Sequence, residues 1–389
     1  MQPFDSGLAV ELQVTGRAVT DVRIHSTRLV QASRMLASRT PAQVTAILPA
    51  IYALCGTAQA LAGCGAMEAA LRLNPSPAHR MARHFLLWVE TVTEHAQGIL
   101  RDWPGLVNEP PDLDPIKPLR PMVTAAKRAL YPDGDWARPG GGRLAIDHGA
   151  LIEQRRLLAN LAAHLFDGSP EDWVKDPDSL QAWARRGEGI AARLLHRVER
   201  DGLSAFGRAT PHLMRAEGPR DLETRLADDD SGDYVAHPDC GGAVFETNAL
   251  SRQSAQPLIA ALIDRHGTGI TARLTARLVE IAVALRDMED LAQDLCDAPR
   301  DPAEHHGSGN GLGVEDAARG LLAHRVEIEE GVVNRYQILA PTEWNFHPAG
   351  PLFSGLMGAE ATPDLKWRAH LLVAALDPCV ACTVEVHHA

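Results

Sequence analysis

The sequence closes on Asp377-Pro378-Cys379-Val380-Ala381-Cys382, with Cys382 seven residues from its end, and its first cysteine, Cys55, stands more than three hundred residues earlier. Two thiols separated by two residues can share one metal or close a disulfide. A zinc ribbon would need a second Cys-x-x-Cys pair, and the sequence has none. A redox dithiol would sit in a thioredoxin-like βαβ pattern, and none surrounds this pair. A C-terminal hook that recruits a third thiolate from the far end of the chain is a different kind of site. It closes only after the whole chain has folded.

The 389 residues suffice for a large buried core. At 45% hydrophobic and 23% charged, the composition is that of an ordinary globular protein. A net charge of −12 argues against nonspecific nucleic-acid binding, which needs a basic surface. Six cysteines (Cys55, Cys64, Cys240, Cys296, Cys379 and Cys382) in a chain this long do not make a disulfide framework. Met1-Gln2-Pro3-Phe4-Asp5 shows no basic region followed by an apolar run, so no secretion signal is expected. No stretch is apolar for long enough to span a bilayer. The expected address is the cytoplasm, without membrane or nucleic-acid partners.

Residues 8–24 alternate as two short strands around a turn at Thr15-Gly16-Arg17. A helix-start signal stands at Thr40-Pro41, and the small, apolar stretch from Ile51 to Leu71 predicts a helix packed closely on its neighbours. A long helix is expected over 78–102, an irregular Pro/Gly-rich connection over 104–143, and helices over 148–166 and 179–200. Asp228-Asp229-Asp230 through Gly242 reads as loop, Pro257 to Leu295 as one strong helix, and Asp297 to Gly313 as loop. Strands follow at Leu322–Glu329 and Val332–Leu339, then a helix leading into the hook. The expected fold class is α+β, predominantly helical, with small antiparallel β elements. No internal repeat or domain boundary is evident, so residues 1–389 are read as one domain.

Other motifs read blandly. Gly307-Ser308-Gly309-Asn310-Gly311 lacks the preceding strand and following Lys of a phosphate loop, and reads as a flexible loop. Asp228-Asp229-Asp230 lacks EF-hand spacing and reads as a solvated acidic loop. His305-His306 and His387-His388 are weak metal-ligand candidates, and Cys64, Cys240 and Cys296 read as buried or loop residues.

Several blocks together resemble the large subunits of NiFe hydrogenases. The Asp377-to-Cys382 hook is similar to the family's DPCxxC ending. Glu315-Asp316-Ala317-Ala318-Arg319-Gly320 resembles its E-A-P-R-G block, and Tyr336 to Asn345 resembles its YQ…PTxWN block. The helix containing Ala272 to Leu291 resembles the one preceding them. Leu54-Cys55-Gly56-Thr57-Ala58-Gln59-Ala60-Leu61-Ala62 sits where the family carries R-x-C-G-x-C-x-x-x-H-A-L-A. The blocks fall in the family's order at both ends of the chain, while residues 104–240 match poorly and look shortened. Aligned on Ala60-Leu61-Ala62, Cys55 takes the second cysteine of the upstream motif, Tyr52 replaces the first, and Gln59 replaces the histidine. A second register, with Cys55 as the first cysteine and Ala58 replacing the bridging one, is less compatible with that downstream match. The family's glutamate motif is degraded, with Asp5 the nearest carboxylate, and Glu385 stands where its terminal histidine would be.

The resemblance implies a metal site that has lost a nickel ligand and kept its iron ligands. Both bridging positions, Cys55 and Cys382, and one terminal position, Cys379, are retained. Tyr52 is a hard oxygen donor and a poor substitute for thiolate, so nickel is not expected. Arg319 matches an arginine whose guanidinium can donate to a cyanide nitrogen. Ala340, Pro341 and Thr342 match the segment lining the other cyanide, and Ala317, Ala318 and Leu322 would pack near the carbonyl. Such a site suits holding rather than turnover. The resemblance therefore implies a hydrogenase maturation scaffold of the HupK/HoxV type that carries an Fe(CN)2(CO) fragment, with a maturation complex of the HypC/HypD type and a hydrogenase large subunit as partners. The alternatives are a divergent nickel-binding large subunit and a cofactor-free regulatory or interaction protein.

Overall fold

A computed structural model describes residues 7–27, 30–209, 212–214, 218–301 and 306–388. Asp5 and His305 lie outside the described residues. The chain opens with the hairpin β1 (Gly7–Thr15) and β2 (Ala18–Ser26). Along β1, Leu8, Val10, Leu12 and Val14 are all buried, the alternation of a half-buried strand. Then come helices α1 (Pro41–Ile51), α2 (Gly56–Leu71) and α3 (Pro77–Leu106). Thr40 opens α1 with a capping box, its hydroxyl accepting from Gln43 while the Gln43 side chain accepts from the Thr40 N–H. Ser76 caps α3, with Pro77 at the first helical position.

The middle of the chain is more helical than its composition suggests. Helix α4 (Leu119–Leu130) lies within the segment read as irregular. It buries Leu119, Met122, Ala126, Ala129 and Leu130 along one face, a helical stripe masked by flanking prolines and glycines. Helices α5 (His148–Phe166), α6 (Pro177–Arg186) and α7 (Ile190–Arg200) follow. The expected helix over 179–200 is thus two, broken at Gly187, which ends α6 with φ +67°.

Next come β3 (His212–Leu213), α8 (Leu222–Asp228), α9 (Asp233–Ala236), β4 (Phe245–Glu246) and α10 (Ala249–Gln253). Asp229 is buried rather than solvated. Its carboxylate accepts from the N–H groups of Gly232 and Val235, both at 2.9 Å, and so holds the turn. The expected helix from Pro257 to Leu295 is also two, α11 (Pro257–His266) and α12 (Ile270–Asp294). Gly267 at φ +64° breaks it, and the Thr268 hydroxyl donates to the Ala209 carbonyl in the gap.

The second sheet is β5 (Gly309–Ala317), β6 (Gly320–Glu329) and β7 (Val332–Leu339), all antiparallel. The expected loop ending at Gly313 is therefore half strand. Gly309, Gly311 and Gly313 share one face of β5, and a Cβ on them would meet the backbone of α2 at Ala70, Ala66 and Ala62. The glycines are neither a phosphate cradle nor a flexible tract. They let a strand lie directly on a helix backbone. Helix α2, rich in Ala and buried on nearly every side, is the matching surface.

Short helices α13 (Pro341–Asn345) and α14 (Pro351–Leu356) precede α15 (Leu365–Leu376) and the last strand, β8 (Ala381–His388). β8 pairs with β1 in parallel, with Leu8 opposite Cys382, giving the order β2-β1-β8. The two-residue β3–β4 pair is also parallel. The mixed, largely helical class is as expected, but not every small β element is antiparallel. Among the described residues, no helix is long and apolar enough to cross a membrane.

Gly311→Ala is expected to cost about 1–3 kcal/mol in denaturant unfolding, because its methyl group would press on helix backbone that cannot rotate away. A substitution at Gly105, whose Cβ would meet nothing within 4 Å and whose backbone is not left-handed, is the control for general glycine effects.

Candidate functional site

Cys55 is the N-cap residue of α2, but its side chain makes no capping hydrogen bond. The cap comes from α3. The buried Glu90 carboxylate accepts the N–H of Thr57 at 2.6 Å and of Ala58 at 2.8 Å, two donors that a helix start leaves unpaired. Burial pushes the Glu90 carboxyl up to about 7, against the lowering effect of these hydrogen bonds. Burial also pushes the Cys55 thiol up to about 12, and a charge on Cys379 adds to the rise. The ends of the chain therefore do meet, as Cys55 and Cys379 lie within electrostatic reach of each other.

Cys379 is positioned by what precedes it. Helix α15 stops at Asp377, which adopts φ +56° and is followed by Pro378. A left-handed residue and then a proline ends the helix sharply and turns the chain into the hook. The Asp377 carboxylate lies 3.3 Å from Arg277 Nη2 of α12 and 3.7 Å from Arg319 Nε. Burial alone would raise its pKa, yet the two guanidinium charges hold it below the ordinary carboxylate range.

Arg319 sits in the turn between β5 and β6 and is buried. Its Nη1 donates to Glu94 Oε2 of α3 at 2.7 Å. Burial would lower its pKa, but Asp377, Glu94 and Cys379 together push it above the usual value. The turn is pinned from behind, where Asn345 Nδ2 donates to the Arg319 carbonyl at 3.1 Å. Thr342, one turn earlier on α13, places its hydroxyl 3.3 Å from Cys379 Sγ. Ala340 and Pro341 start that helix, as N-cap and first residue.

The structure thus brings Thr342 against Cys379 and places Cys55 and Arg319 within electrostatic range of that sulfur. Ala317, Leu322 and Ala340 are buried in the hydrophobic cluster against α2, and Ala318 is buried beside them in the turn. Cys382 is placed differently. It lies on β8, its Sγ 3.8 Å from the Thr383 carbonyl, and burial pushes its thiol up to about 11. Among the described residues, no group of three or more His, Cys, Asp or Glu side chains is arranged to hold a metal ion. His387 pairs loosely with Glu385 at 3.7 Å on the exposed part of β8.

Motif reading missed several participants. Glu90 and Glu94 stand four apart on a helix face that is otherwise buried, so both point into the molecule. The same signal marks Arg273, Arg277 and Glu280 on α12. Glu280 is fully buried and accepts from Arg252 Nε at 2.7 Å, Gln253 Nε2 at 3.1 Å and the His95 ring at 2.8 Å. Arg252 also donates to the Ala318 carbonyl at 3.0 Å, so this cluster braces the Arg319 turn. Burial would raise the Glu280 pKa, but Arg252 and His95 hold it well below the usual range.

Because that pKa is depressed in the folded protein, the stabilisation is complete above the ordinary carboxylate range and is lost as pH falls below it. Glu280→Gln is expected to cost about 3–5 kcal/mol at neutral pH, since it strands a buried arginine. It should also flatten the acid limb of the stability profile. Urea melts at a series of pH values measure both effects.

A family model described as nickel-dependent hydrogenase matches residues 249–387. A hydrogenase expression/formation protein HupV from Azotobacter chroococcum mcd 1 is 30% identical over 98% of this chain and 99% of its own length. A HupK protein of the same description from Rhizobium leguminosarum bv. viciae is 27% identical over 98% of this chain and 97% of its own. Among solved structures, a NiFeSe hydrogenase variant from Desulfovibrio vulgaris Hildenborough superposes with a TM-score of 0.67 at 15% identity, covering 93% of both chains.

Proposed function

The chain belongs to the family of hydrogenase expression/formation proteins, and we propose that within hydrogenase maturation it is the scaffold on which an Fe(CN)2(CO) fragment is held before transfer to a hydrogenase large subunit. The observation that carries this reading is the pairing of two thiols from opposite ends of the chain with a buried arginine. Cys55 and Cys379 lie within electrostatic range of one another, and Arg319 lies within range of both. Soft thiolates suit iron, and a guanidinium suits the cyanide nitrogens. The Arg319 Nε makes no hydrogen bond and faces the Asp377 carboxylate at 3.7 Å, so a cyanide nitrogen would compete there only with an ion pair.

Each residue has a role under this reading. Cys55 and Cys382 supply the thiolates that stay with the iron, and Cys379 captures or releases the fragment by exchange. Thr342 steadies the Cys379 sulfur through its hydroxyl. Arg319 receives one cyanide, and Ala340, Pro341 and Thr342 line the other. Ala317, Ala318 and Leu322 supply the apolar wall for the carbonyl. Cys382 must leave its contact with Thr383 to join, which moves the start of β8 where it pairs with β1.

Nickel has no matching thiolate set. Tyr52, in the position of the missing cysteine, ends α1 and packs against the hydrophobic cluster beside Tyr336. The partners proposed are a maturation complex of the HypC/HypD type, which would deliver the fragment, and the hydrogenase large subunit that would receive it.

Infrared spectroscopy tests this on protein purified anaerobically from cells expressing the maturation machinery, with iron and nickel analysis on the same sample. Cyanide and carbonyl stretches with iron and without nickel are expected, and Cys55→Ala should abolish them while leaving the fold intact. Stoichiometric nickel alongside those bands would overturn the reading in favour of an active hydrogenase-like site. Full hydrogenase maturation with Cys55→Ala would overturn the ligand assignment.

A further inference from the structure

Behind Cys55 a chain of hydrogen bonds runs into the core. Gln59, one turn along α2, places its Nε2 3.9 Å from Cys55 Sγ. Its Oε1 lies 2.9 Å from His324 Nε2 on β6. The other ring nitrogen, Nδ1, lies 2.7 Å from the Tyr336 hydroxyl on β7. Gln59, His324 and Tyr336 are all buried, with exposures of 1%, 0% and 3%. Three polar side chains in an apolar core are costly unless each serves the next.

The packing around the chain is built to admit it. A Cβ on Gly63, one turn beyond Gln59, would sit 2.7 Å from the Tyr336 hydroxyl, 3.5 Å from His324 Nδ1 and 2.6 Å from Leu48 Cδ1. A residue without a side chain is needed there for the tyrosine to reach the histidine. The two rings meet edge to face, 5.5 Å apart at 85°.

We propose that Gln59, His324 and Tyr336 form a positioning relay that fixes which end of the Gln59 amide faces the Cys55 sulfur. The inference rests on Cys55 being a ligand of the carried fragment. A neutral imidazole has one donor and one acceptor, so the chain has only two consistent directions. Burial pushes the His324 pKa down to about 3, which keeps the ring neutral. In the first direction the Tyr336 O–H donates to Nδ1, the Nε2–H donates to Gln59 Oε1, and the Gln59 N–H is turned to sulfur. In the second every bond is reversed, and a carbonyl oxygen faces sulfur instead.

The arrangement in the structure is the first. An N–H aimed at sulfur supports a thiolate, whereas an oxygen would repel it. Gln59 thus performs with an amide, oriented from behind, what a ring N–H could do directly. The tyrosine is the end of the relay that sets its direction, because its hydroxyl is a good donor to an imidazole nitrogen.

The test uses the empty, full-length protein. Long-range proton–nitrogen spectra of histidine-labelled protein, with His324 identified by its loss in His324→Gln, are expected to show the neutral Nε2–H tautomer. The Nδ1–H tautomer would overturn the relay, because Gln59 would then have to turn its oxygen to sulfur. Tyr336→Phe, which leaves the packing nearly unchanged, should release the ring into a mixture of both tautomers. A single unchanged tautomer in that variant would likewise overturn the assignment. Peptide-resolved alkylation with iodoacetamide supplies the second readout, with exposed Cys296 as internal reference. Cys55 should react about fivefold more slowly in Gln59→Leu, the worth of one net hydrogen bond. A rate within twofold of the parent, with the fold retained, would sink the proposal. Neither measurement needs iron, so their failure leaves the scaffold reading standing, and missing infrared bands would leave the relay untouched.

Discussion

Four buried charges hold the two ends of this molecule together. Glu94 comes from α3, Arg277 from α12, Arg319 from the β5–β6 turn and Asp377 from the end of α15. Two of each sign leave the cluster near neutral, which limits the penalty of removing them from water. Such clusters specify geometry more than they add stability, because a wrong arrangement leaves an unpaired charge. Gly98 on α3 shows how tightly this one is fitted, since a Cβ there would lie 2.6 Å from Arg277 Nη2 and 3.3 Å from Asp377 Oδ1. Asp377 stands two residues before Cys379, so the cluster that joins four elements also aims the hook.

A second constraint fixes the other half of the site. Helix α2 cannot cap itself at Cys55, and Glu90 does so from α3. Glu90 and Glu94 are one turn apart on the same helix. One face of α3 therefore positions Cys55 through Glu90 and the Arg319 turn through Glu94. On its other side α2 lies against the glycines of β5, so the strand leading to Arg319 and the helix starting at Cys55 share one surface. The relative placement of thiol and guanidinium follows from α2, α3 and β5 packing as a unit.

Much of this was legible in the sequence because it is local. The hairpin at Gly16, the Thr40-Pro41 start of α1, the strands β6 and β7 and the hook after α15 all follow from capping, alternation and turn chemistry. The helix breaks at Gly187 and Gly267 were hidden because apolar periodicity continues across each glycine, and only the backbone conformation separates the helices. Strand β5 was hidden for the opposite reason. Glycine weakens any strand signal, and the cause of the glycines is a helix more than two hundred residues upstream. In the site, Cys55, Cys379, Arg319 and Thr342 were readable as motif positions. Glu90, Glu94, Arg277 and the Gln59–His324–Tyr336 chain were not, since each matters only through a partner distant in sequence.

The two hook cysteines are anchored by unlike means. Cys379 follows the charge cluster directly and is tied to it by two residues of chain. Cys382 belongs to β8, an edge strand of its sheet, held by main-chain bonds to β1 and by the burial of Val384. A strand at a sheet edge opens at lower cost than a cluster buried between four elements. The Cys379 sulfur is consequently held while the Cys382 sulfur can shift with its strand. Under the proposed function this asymmetry separates capture from retention. Cys379 meets an arriving fragment with Cys55 from a fixed place and later gives it up by exchange, and Cys382 joins with its strand as the second thiolate that stays, without disturbing Arg319. A site whose four charges must stay together could hardly open by moving them, so the strand is the element whose movement leaves the rest of the site intact.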